Sequence, residues 1–167
     1  MNVEPTYRWY RWSELSADTL YAFLKLRSDI FVVEQNCVFS EMDGIDPQCE
    51  HLTAFDDAGE LMAYLRLVPP GVKRPHSESP AAAGPAIGRV VVASVARDNG
   101  LGRRIMLQAL EHCAQIYPGQ PISLSGQQHL EAFYASLGFV TRSPAYLEDG
   151  IWHVDMLRGD EGTESHA

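Results

Sequence analysis

The chain has 167 residues, which is enough for one domain with a substantial apolar core. Its formal charge of -9, from 13 basic and 22 acidic residues, argues against nucleic acid as a partner, because no basic stripe offsets the repulsion from phosphates. No apolar run is long enough to span a bilayer, and the N-terminus lacks the pattern of a secretory signal. These properties predict a cytoplasmic protein without membrane association.

Apolar periodicity predicts a mixed α/β fold in a single domain, residues 1–158, followed by a flexible tail at 159–167. The predicted elements, in chain order, are a strand at 7–12, a helix ending near 31, an acidic loop at 36–50, strands at 51–55 and 61–68, an irregular loop at 69–86, a strand at 87–94, a helix at 100–117, a strand at 122–125, a helix at 128–137, and strands at 139–142 and 146–156. Either Ser13 or Ser16 caps the first helix.

The three cysteines, Cys37, Cys49 and Cys113, form no C-x-x-C pair. Because the chain shows no export signal, we expect reduced, free thiols. A bridge between Cys37 and Cys49 stays open on the sequence alone.

The turn after the strand at 87–94 carries the motif Arg97-x-x-Gly100-x-Gly102. Glycines at a strand-to-helix junction let backbone N–H groups approach a ligand, and the new helix adds its unsatisfied donors and dipole. Residues 97–104 hold three arginines and one aspartate, although cations are disfavoured in the first turn of a helix. The turn therefore indicates a phosphate or pyrophosphate site. An ordinary connection with surface arginines is the alternative.

Together with Phe133-Tyr134-x-x-x-Gly138-Phe139, this motif resembles the GNAT superfamily of acyl-CoA-dependent N-acetyltransferases. Further segments resemble its ElaA-like branch: Leu26-Arg27…Phe31-Val32-Val33-Glu34-Gln35, Asp43-Gly44-x-Asp46, His51-Leu52, Ile87-Gly88-Arg89-Val90 and Tyr146-x-Glu148-Asp149-Gly150-Ile151-x-His153. The resemblance covers nearly the whole chain outside residues 69–86 and the termini. It implies a mixed β-sheet, flanked by helices, whose strands at 87–94 and 122–125 splay apart.

The resemblance also implies that acetyl-CoA, as co-substrate, lies between these two strands. Its pantetheine amides would pair with the main chain of Val90, Val91 and Val92, as an added strand does. Many family members place Asn where this chain has Gln127, so a contact there departs from the common pattern. The expected contacts of the pyrophosphate lie in the turn: Arg97, Asp98, Asn99, Gly100, Leu101, Gly102 and Arg103.

Tyr134 is the expected general acid, since the family often has a tyrosine in this role and a phenol can donate a proton to the departing thiolate. An aromatic core residue is the alternative. The acceptor must lose a proton before it attacks. The candidate bases are Glu34, Asp43, Asp46, His51 and His153, of which we assign Glu34 to catalysis and Asp46, His51 and His153 to acceptor binding.

Each of these acceptor-side residues also has a structural alternative. Glu34 would act as a cap or pair with Arg27 or Arg66, and His51 would be a strand histidine whose hydrogen bonds are satisfied. No cluster has metal-ligand spacing, because Asp43-x-x-Asp46 lacks the other ligands of a calcium site.

Two further functions stay open beside an N-acetyltransferase that acts on an amine. The pattern Arg27…Phe31…Asp43…Asp46…Arg66 is similar to the N-terminal pattern of acyl-homoserine-lactone synthases, which use acyl carriers and S-adenosylmethionine. A non-catalytic acyl-CoA-binding module is the other. A homodimer is compatible with the sequence, which leaves the oligomeric state open.

Overall fold

The computed structural model describes residues 4–74 and 83–159. Part of the predicted loop at 69–86, and the predicted tail beyond residue 159, lie outside these described residues. The strands and longer helices, in chain order, are β1 (Thr6–Arg11), α1 (Ala17–Ser28), β2 (Glu50–Phe55), β3 (Leu61–Val68), β4 (Ala86–Val92), α2 (Leu101–Ile116), β5 (Ile122–Gln127), α3 (Glu131–Ala135), β6 (Val140–Thr141), β7 (Tyr146–Glu148) and β8 (Ile151–Arg158). A π-helical segment, Asp29–Glu34, continues α1.

One sheet contains all of these strands in the order β1-β2-β3-β4-β5-β8-β6, and β7 also pairs with β8. Every pairing is antiparallel except that of β4 with β5. The parallel pairing is limited to Ala86 and Ser123, and the N–H of Ser123 donates to the carbonyl of Pro85 at 3.1 Å. The two strands then separate, as the resemblance implied, and the predicted mixed α/β fold is confirmed.

Helices cover the two faces of the sheet. The apolar face of α2 buries residues at helical spacing, including Ile105, Met106, Ala109 and Cys113, in the larger core. On the other face, Phe23 of α1 packs with Tyr64 and Val91 in a second buried cluster. Neighbouring residues of β4 therefore point into different cores, because side chains alternate along a strand.

Local signals explain several boundaries. Ser16 caps α1 by accepting from the N–H of Thr19 at 3.1 Å, which decides between the two predicted caps. The strand predicted at 146–156 is divided into β7 and β8, because Asp149 and Gly150 adopt left-handed φ angles of 51° and 79° and form a tight turn. The helix predicted at 128–137 is shorter than expected, since residues Gln128–Leu130 form a 3₁₀ turn before α3.

All three cysteines are buried and free, so the expectation of reduced thiols is confirmed and Cys37 is not bridged to Cys49. Within the described ranges, no helix has both the length and the apolar character that crossing a membrane requires.

Candidate active site

A cavity of about 1110 Å³ occupies the gap between β4 and β5. Its walls include Val90, Val91 and Val92 of β4, and Ser125, Gly126 and Gln127 of β5. The N-terminal turn of α2 lies at one side and the β7–β8 hairpin at another. The separation of the two strands thus places one continuous cavity between the N-terminal end of α2 and a group of polar side chains.

The main chain of β4 is available to a ligand in this cavity. Beyond Ala86, β4 has no pairing with β5 within the described residues, whereas its other edge pairs with β3. A bulge adds to this exposure: Tyr64 pairs with Val91 and Arg66 with Gly88, so two residues of β4 oppose one of β3. An extended ligand that carries amides could pair with this edge as an added strand does.

The turn before α2 has the geometry that its glycines predict. Asp98 and Gly100 have left-handed φ angles of 66° and 78°, and Gly100 is the N-cap of the helix without any side-chain cap of its own. Nothing lies within 4 Å of a Cβ built on Gly100. At the start of this 16-residue helix, the N–H of Leu101 donates to Oδ1 of Asn99 at 3.3 Å, whereas the next N–H groups, those of Gly102 and Arg103, have no acceptor within the helix. They form a site suited to an anion.

The arginines of this turn are bound to protein groups. Arg97 donates two hydrogen bonds to Glu34, at 2.8 and 2.7 Å, while Arg103 donates to the hydroxyl of Ser136 at 3.0 Å. Glu34 therefore pairs with Arg97, and the pairing with Arg27 or Arg66 considered above is wrong. The hydrogen bonds from Arg97 lower the pKa of Glu34, which makes this carboxylate a weaker base.

Tyr134 packs its ring against Gly126 of β5. A Cβ at Gly126 would lie 3.0 Å from Cε2 of Tyr134, so a glycine lets the ring approach the strand. Tyr134 is only 7% exposed, and burial raises the pKa of its hydroxyl to about 12. The hydroxyl makes no hydrogen bond to any described residue, yet the side chain lines the cavity. It is a proton donor without a partner of its own.

Several polar side chains lie on the side of the cavity near the β7–β8 hairpin. Gln127 donates from Nε2 to Oε1 of Gln35 at 3.1 Å, which links β5 to the segment after the π-helix. On β8, His153 stands opposite Gln127 and lines the cavity. Tyr146 of β7 donates to Asp155 at 2.6 Å and hydrogen-bonds to Ser125.

Asp46 and His51 lie in a different environment. Asp46, which is 5% exposed, accepts hydrogen bonds from Arg27 at 2.8 Å and from Arg66 at 3.0 Å. His51 is fully buried, and its ring nitrogens contact the hydroxyl of Tyr64 and the carbonyl of Asp46 at 2.7 and 2.9 Å. Neither lines the described part of the cavity, so the structure places both beside the cavity wall, and their contact with the acceptor stays a prediction.

Asp46 belongs to a buried charge network with three arginines and three carboxylates: Arg27, Arg66, Arg89, Glu41, Asp43 and Asp46. Asp43 and Arg89 also line the cavity. The network thus ties the loop after the π-helix to β3 and β4, and it supports one wall of the cavity. Since its charges balance, each ion has a compensating partner.

Sequence reasoning did not single out Gly126 or the group formed by Ser125, Tyr146 and Asp155. A glycine inside a predicted strand signals a close approach by a neighbour, so Gly126 had a local signal. Tyr146 belongs to a segment that resembles the ElaA-like branch, but no local signal connected it with Ser125 and Asp155, because the three residues come from three strands.

Comparisons with known proteins agree with this geometry. A family model described as an acetyltransferase (GNAT) domain matches residues 45–158. A UPF0039 protein from Schizosaccharomyces pombe is 41% identical over 156 residues, which cover 93% of this chain and 96% of the relative. The structure of an acyl-CoA N-acyltransferase from Pseudomonas aeruginosa is 40% identical with a TM-score of 0.81, covering 93% of this chain and 99% of that one.

The crystal structure of Escherichia coli ElaA is 36% identical with a TM-score of 0.79, covering 92% of this chain and 99% of that one. A CoA-dependent acyl-homoserine lactone synthase has a TM-score of 0.77 at 19% identity, covering 92% of this chain and 82% of that one. At that identity the likeness extends to the fold alone.

Loss of one carboxylate from the buried network should destabilise the protein strongly. We expect Asp46→Asn to lower the free energy of unfolding by about 3–5 kcal/mol, because Arg27 and Arg66 would be left buried and undercompensated. Urea denaturation followed by circular dichroism measures the change. The control is Asp29→Asn, which removes the partner of Lys25 in an exposed pair and should have a much smaller effect. Equal losses in the two variants would contradict a structural role for the network.

The same network should make the protein sensitive to acid. Burial alone would raise the pKa of Asp43, but hydrogen bonds and charge from Arg66 hold it at about 2, and Arg27 similarly outweighs burial to lower the pKa of Asp46. Carboxylates with a lowered pKa stabilise the folded state above their ordinary range, and this stabilisation is lost as the pH falls through the folded value. The free energy of unfolding should therefore fall between about pH 4 and pH 2, and less steeply in Asp43→Asn.

Proposed function

The chain belongs to the GNAT acetyltransferase family and to its ElaA-like branch, and on that premise we propose that it is an N-acetyltransferase that moves an acetyl group from acetyl-CoA to an amine by direct attack. The observation that carries this proposal is the continuity of one cavity from the N-terminal turn of α2, along the unpaired edge of β4, to Tyr134. Pyrophosphate, pantetheine and thioester follow one another in acetyl-CoA in the same order.

The donor would bind mainly through main-chain groups. The N–H groups from Asp98 to Arg103 suit the pyrophosphate, since they belong to the turn and the first turn of α2. The pantetheine amides would pair with Val90 and Val92, whose side chains remain packed against the larger core. Gln127 lies across the gap and would reach the pantetheine arm if its hydrogen bond to Gln35 opened.

The reaction needs stabilisation of an oxyanion and of a departing thiolate. A backbone N–H of β4 near Val91 or Val92 would hold the thioester oxygen as it gains charge. Tyr134 would donate to the sulfur as the C–S bond breaks. Because burial raises the pKa of Tyr134 to about 12, the phenol stays protonated, and we expect a moderate contribution to the rate.

Isothermal titration calorimetry with acetyl-CoA tests the donor site, and thiol release from acetyl-CoA with a panel of amines tests the transfer. Binding in the range of tens of micromolar, with thiol release that depends on the amine, would support the proposal. Absence of binding would overturn it. Binding without release in the presence of any amine would favour the acyl-CoA-binding module instead. Longer acyl-CoA thioesters in the same assay define the acyl group.

An acyl-homoserine-lactone synthase is the second candidate, on the pattern from Arg27 to Arg66. In the structure, Arg27, Asp46 and Arg66 of that pattern form the buried network, which accounts for them without a second substrate. S-adenosylmethionine as acceptor in the thiol-release assay separates the two reactions. Release with this acceptor in preference to simple amines would favour the synthase.

Removal of the Tyr134 hydroxyl should slow the chemical step more than it weakens donor binding. We expect Tyr134→Phe to lower kcat by about 10²-fold, the lower range for loss of an acid catalyst, with little change in the Kd for acetyl-CoA. Tyr117→Phe is the matched control, since it removes a phenol at the far end of α2. An unchanged kcat between pH 6 and pH 9 would exclude Tyr134 as the acid.

Neutralising Glu34 should strengthen donor binding. Glu34 occupies both terminal nitrogens of Arg97 at the edge of the anion site, so it competes there with a pyrophosphate. Calorimetry should show severalfold tighter binding of acetyl-CoA to Glu34→Gln, and the gain should shrink at high salt. Glu111→Gln, which removes one charge from the outer face of α2, serves as the control. Weaker binding, or a large loss of kcat, would instead support the catalytic role predicted from the sequence.

A further inference from the structure

We propose that His153 is the general base of the reaction and that its Nε2 atom takes a proton from a primary ammonium group held at the β7–β8 hairpin. This inference rests on the proposed acetyl transfer. The general base and the amine acceptor would lie on the side of the gap opposite Tyr134.

The register of the sheet places His153 and Tyr134 on opposite faces. Tyr134 packs against Gly126 of β5, whereas His153 is paired with the next residue, Gln127. Directly opposed residues of antiparallel strands point to the same face, and successive residues point to opposite faces. Both side chains line the gap between β4 and β5. The acyl donor and the amine acceptor could therefore meet in the gap, with the proposed acid, Tyr134, on one face and the proposed base, His153, on the other.

The hydrogen bonds of His153 determine which nitrogen can accept a proton. Nδ1 lies 2.7 Å from the carbonyl oxygen of Ile151, and a carbonyl only accepts, so Nδ1 carries the hydrogen. In the neutral ring Nε2 is then the unprotonated nitrogen. The ring stacks on Tyr146 with a centroid distance of 6.1 Å, and Tyr146 is itself held by Ser125 and Asp155. Packing and hydrogen bonds thus fix the ring with Nε2 as its free acceptor.

The charges around Nε2 favour a cationic acceptor. Oε2 of Glu148 lies 3.8 Å from Nε2, and Asp149 follows it in the same turn, where both residues line the cavity. Neither carboxylate pairs with an arginine or lysine among the described residues. Of the other carboxylates in the cavity wall, Glu34 is paired with Arg97 and Asp43 with Arg66 and Arg89. Arg74 and, at the turn before α2, Asp98 also line the cavity, and neither forms an ion pair with a described residue. The hairpin thus has uncompensated negative charge for an ammonium group and for an imidazolium formed beside it.

The proton balance follows from this arrangement. The ammonium group loses two protons overall, one to solvent and one to the sulfur of CoA. Nε2 of His153 takes the first and later releases it to solvent, which frees the lone pair of the amine. The C–N bond then forms, the C–S bond breaks with its electron pair on sulfur, and Tyr134 donates its proton to the thiolate. The second proton shed by nitrogen restores the Tyr134 hydroxyl.

The first measurement is independent of the acceptor. Long-range ¹H–¹⁵N correlation spectra of the protein, with the His153 signals assigned by comparison with His153→Gln, should show that the neutral ring carries its hydrogen on Nδ1. A ring protonated at Nε2 would overturn the proposal, because no lone pair would face the cavity.

The second measurement is the pH profile of kcat/KM for thiol release, with the fastest acceptor among tyramine, agmatine, spermidine and a lysine peptide. For the unsubstituted protein we expect kcat/KM to rise with pH, because the base must be unprotonated to act, and then to reach a plateau. His153→Gln should be about 10²-fold slower at neutral pH, and its rate should keep rising towards the pKa of the amine. The Kd for acetyl-CoA should not change.

His112→Gln, which removes an imidazole outside the cavity, should retain the unsubstituted profile. Thiol release by His153→Gln with an unchanged rate and profile would overturn the role of His153 and leave acetyl transfer intact. Acetyl-CoA binding without thiol release from any acceptor in the unsubstituted protein would overturn the proposed transfer and with it this inference. Glu148→Gln should raise KM for the cationic acceptor more than it lowers kcat.

Discussion

The structure depends on the point at which β4 and β5 stop pairing. The two strands share one residue pair, Ala86 with Ser123, and every other strand pairing in the sheet is antiparallel. Strands that separate inside a sheet leave main-chain N–H and C=O groups without partners, which is unfavourable unless water or a ligand satisfies them. The open edge of β4 is therefore both a local weakness of the sheet and the surface on which the proposed donor would form its hydrogen bonds.

Such a gap needs support from both sides. On one side, α2 buries a continuous apolar face and presents its N-terminal turn to the cavity. On the other, the buried charge network ties the loop containing Glu41 and Asp43 to Arg66 of β3 and Arg89 of β4. Burying six ions is favourable only if they are well paired. The wall of the cavity is thus held by directional interactions between paired ions.

The division of roles across the gap follows from strand alternation. Gly126 and Gln127 are neighbours in the chain, yet one admits the ring of Tyr134 and the other stands beside His153. The proposed acid and the proposed base are therefore kept apart by the sheet itself, although both side chains line the same cavity. In the proposed reaction this separation lets the ammonium lose its proton to His153 before the thiolate receives one from Tyr134.

Much of the fold was predictable because its signals are local. The alternation of β2 and β3, the periodicity of α2 and the capping serine of α1 depend on residues within one or two turns of each other. The motif from Arg97 to Gly102 likewise indicated an anion site before any fold was known. The ends of α3 and the break between β7 and β8 were harder to predict from the sequence, since both depend on the φ angles that the packed chain imposes on single residues.

The acceptor side shows where sequence reasoning ended. Glu34 and Arg97 lie 63 positions apart, and the partners of Asp46 come from α1 and β3, so no spacing rule connects them. Asp46 and His51 had the right chemistry for an acceptor site, but burial and pairing place them behind the wall of the cavity. The chemical type of these acceptor-side residues could be derived from the sequence, whereas their solvent exposure and their hydrogen-bond partners could not.

By itself the sequence determined the strands and main helices, the glycine turn before α2 and, through its family resemblance, the membership in an acyltransferase family, because these reside in short stretches with characteristic patterns. Only the tertiary structure decided which titratable groups face the cavity, which nitrogen of His153 is free and which carboxylates lack a cation. The physical reason is that pairing and burial are long-range properties, set by strand register and by packing between segments that are distant in the chain.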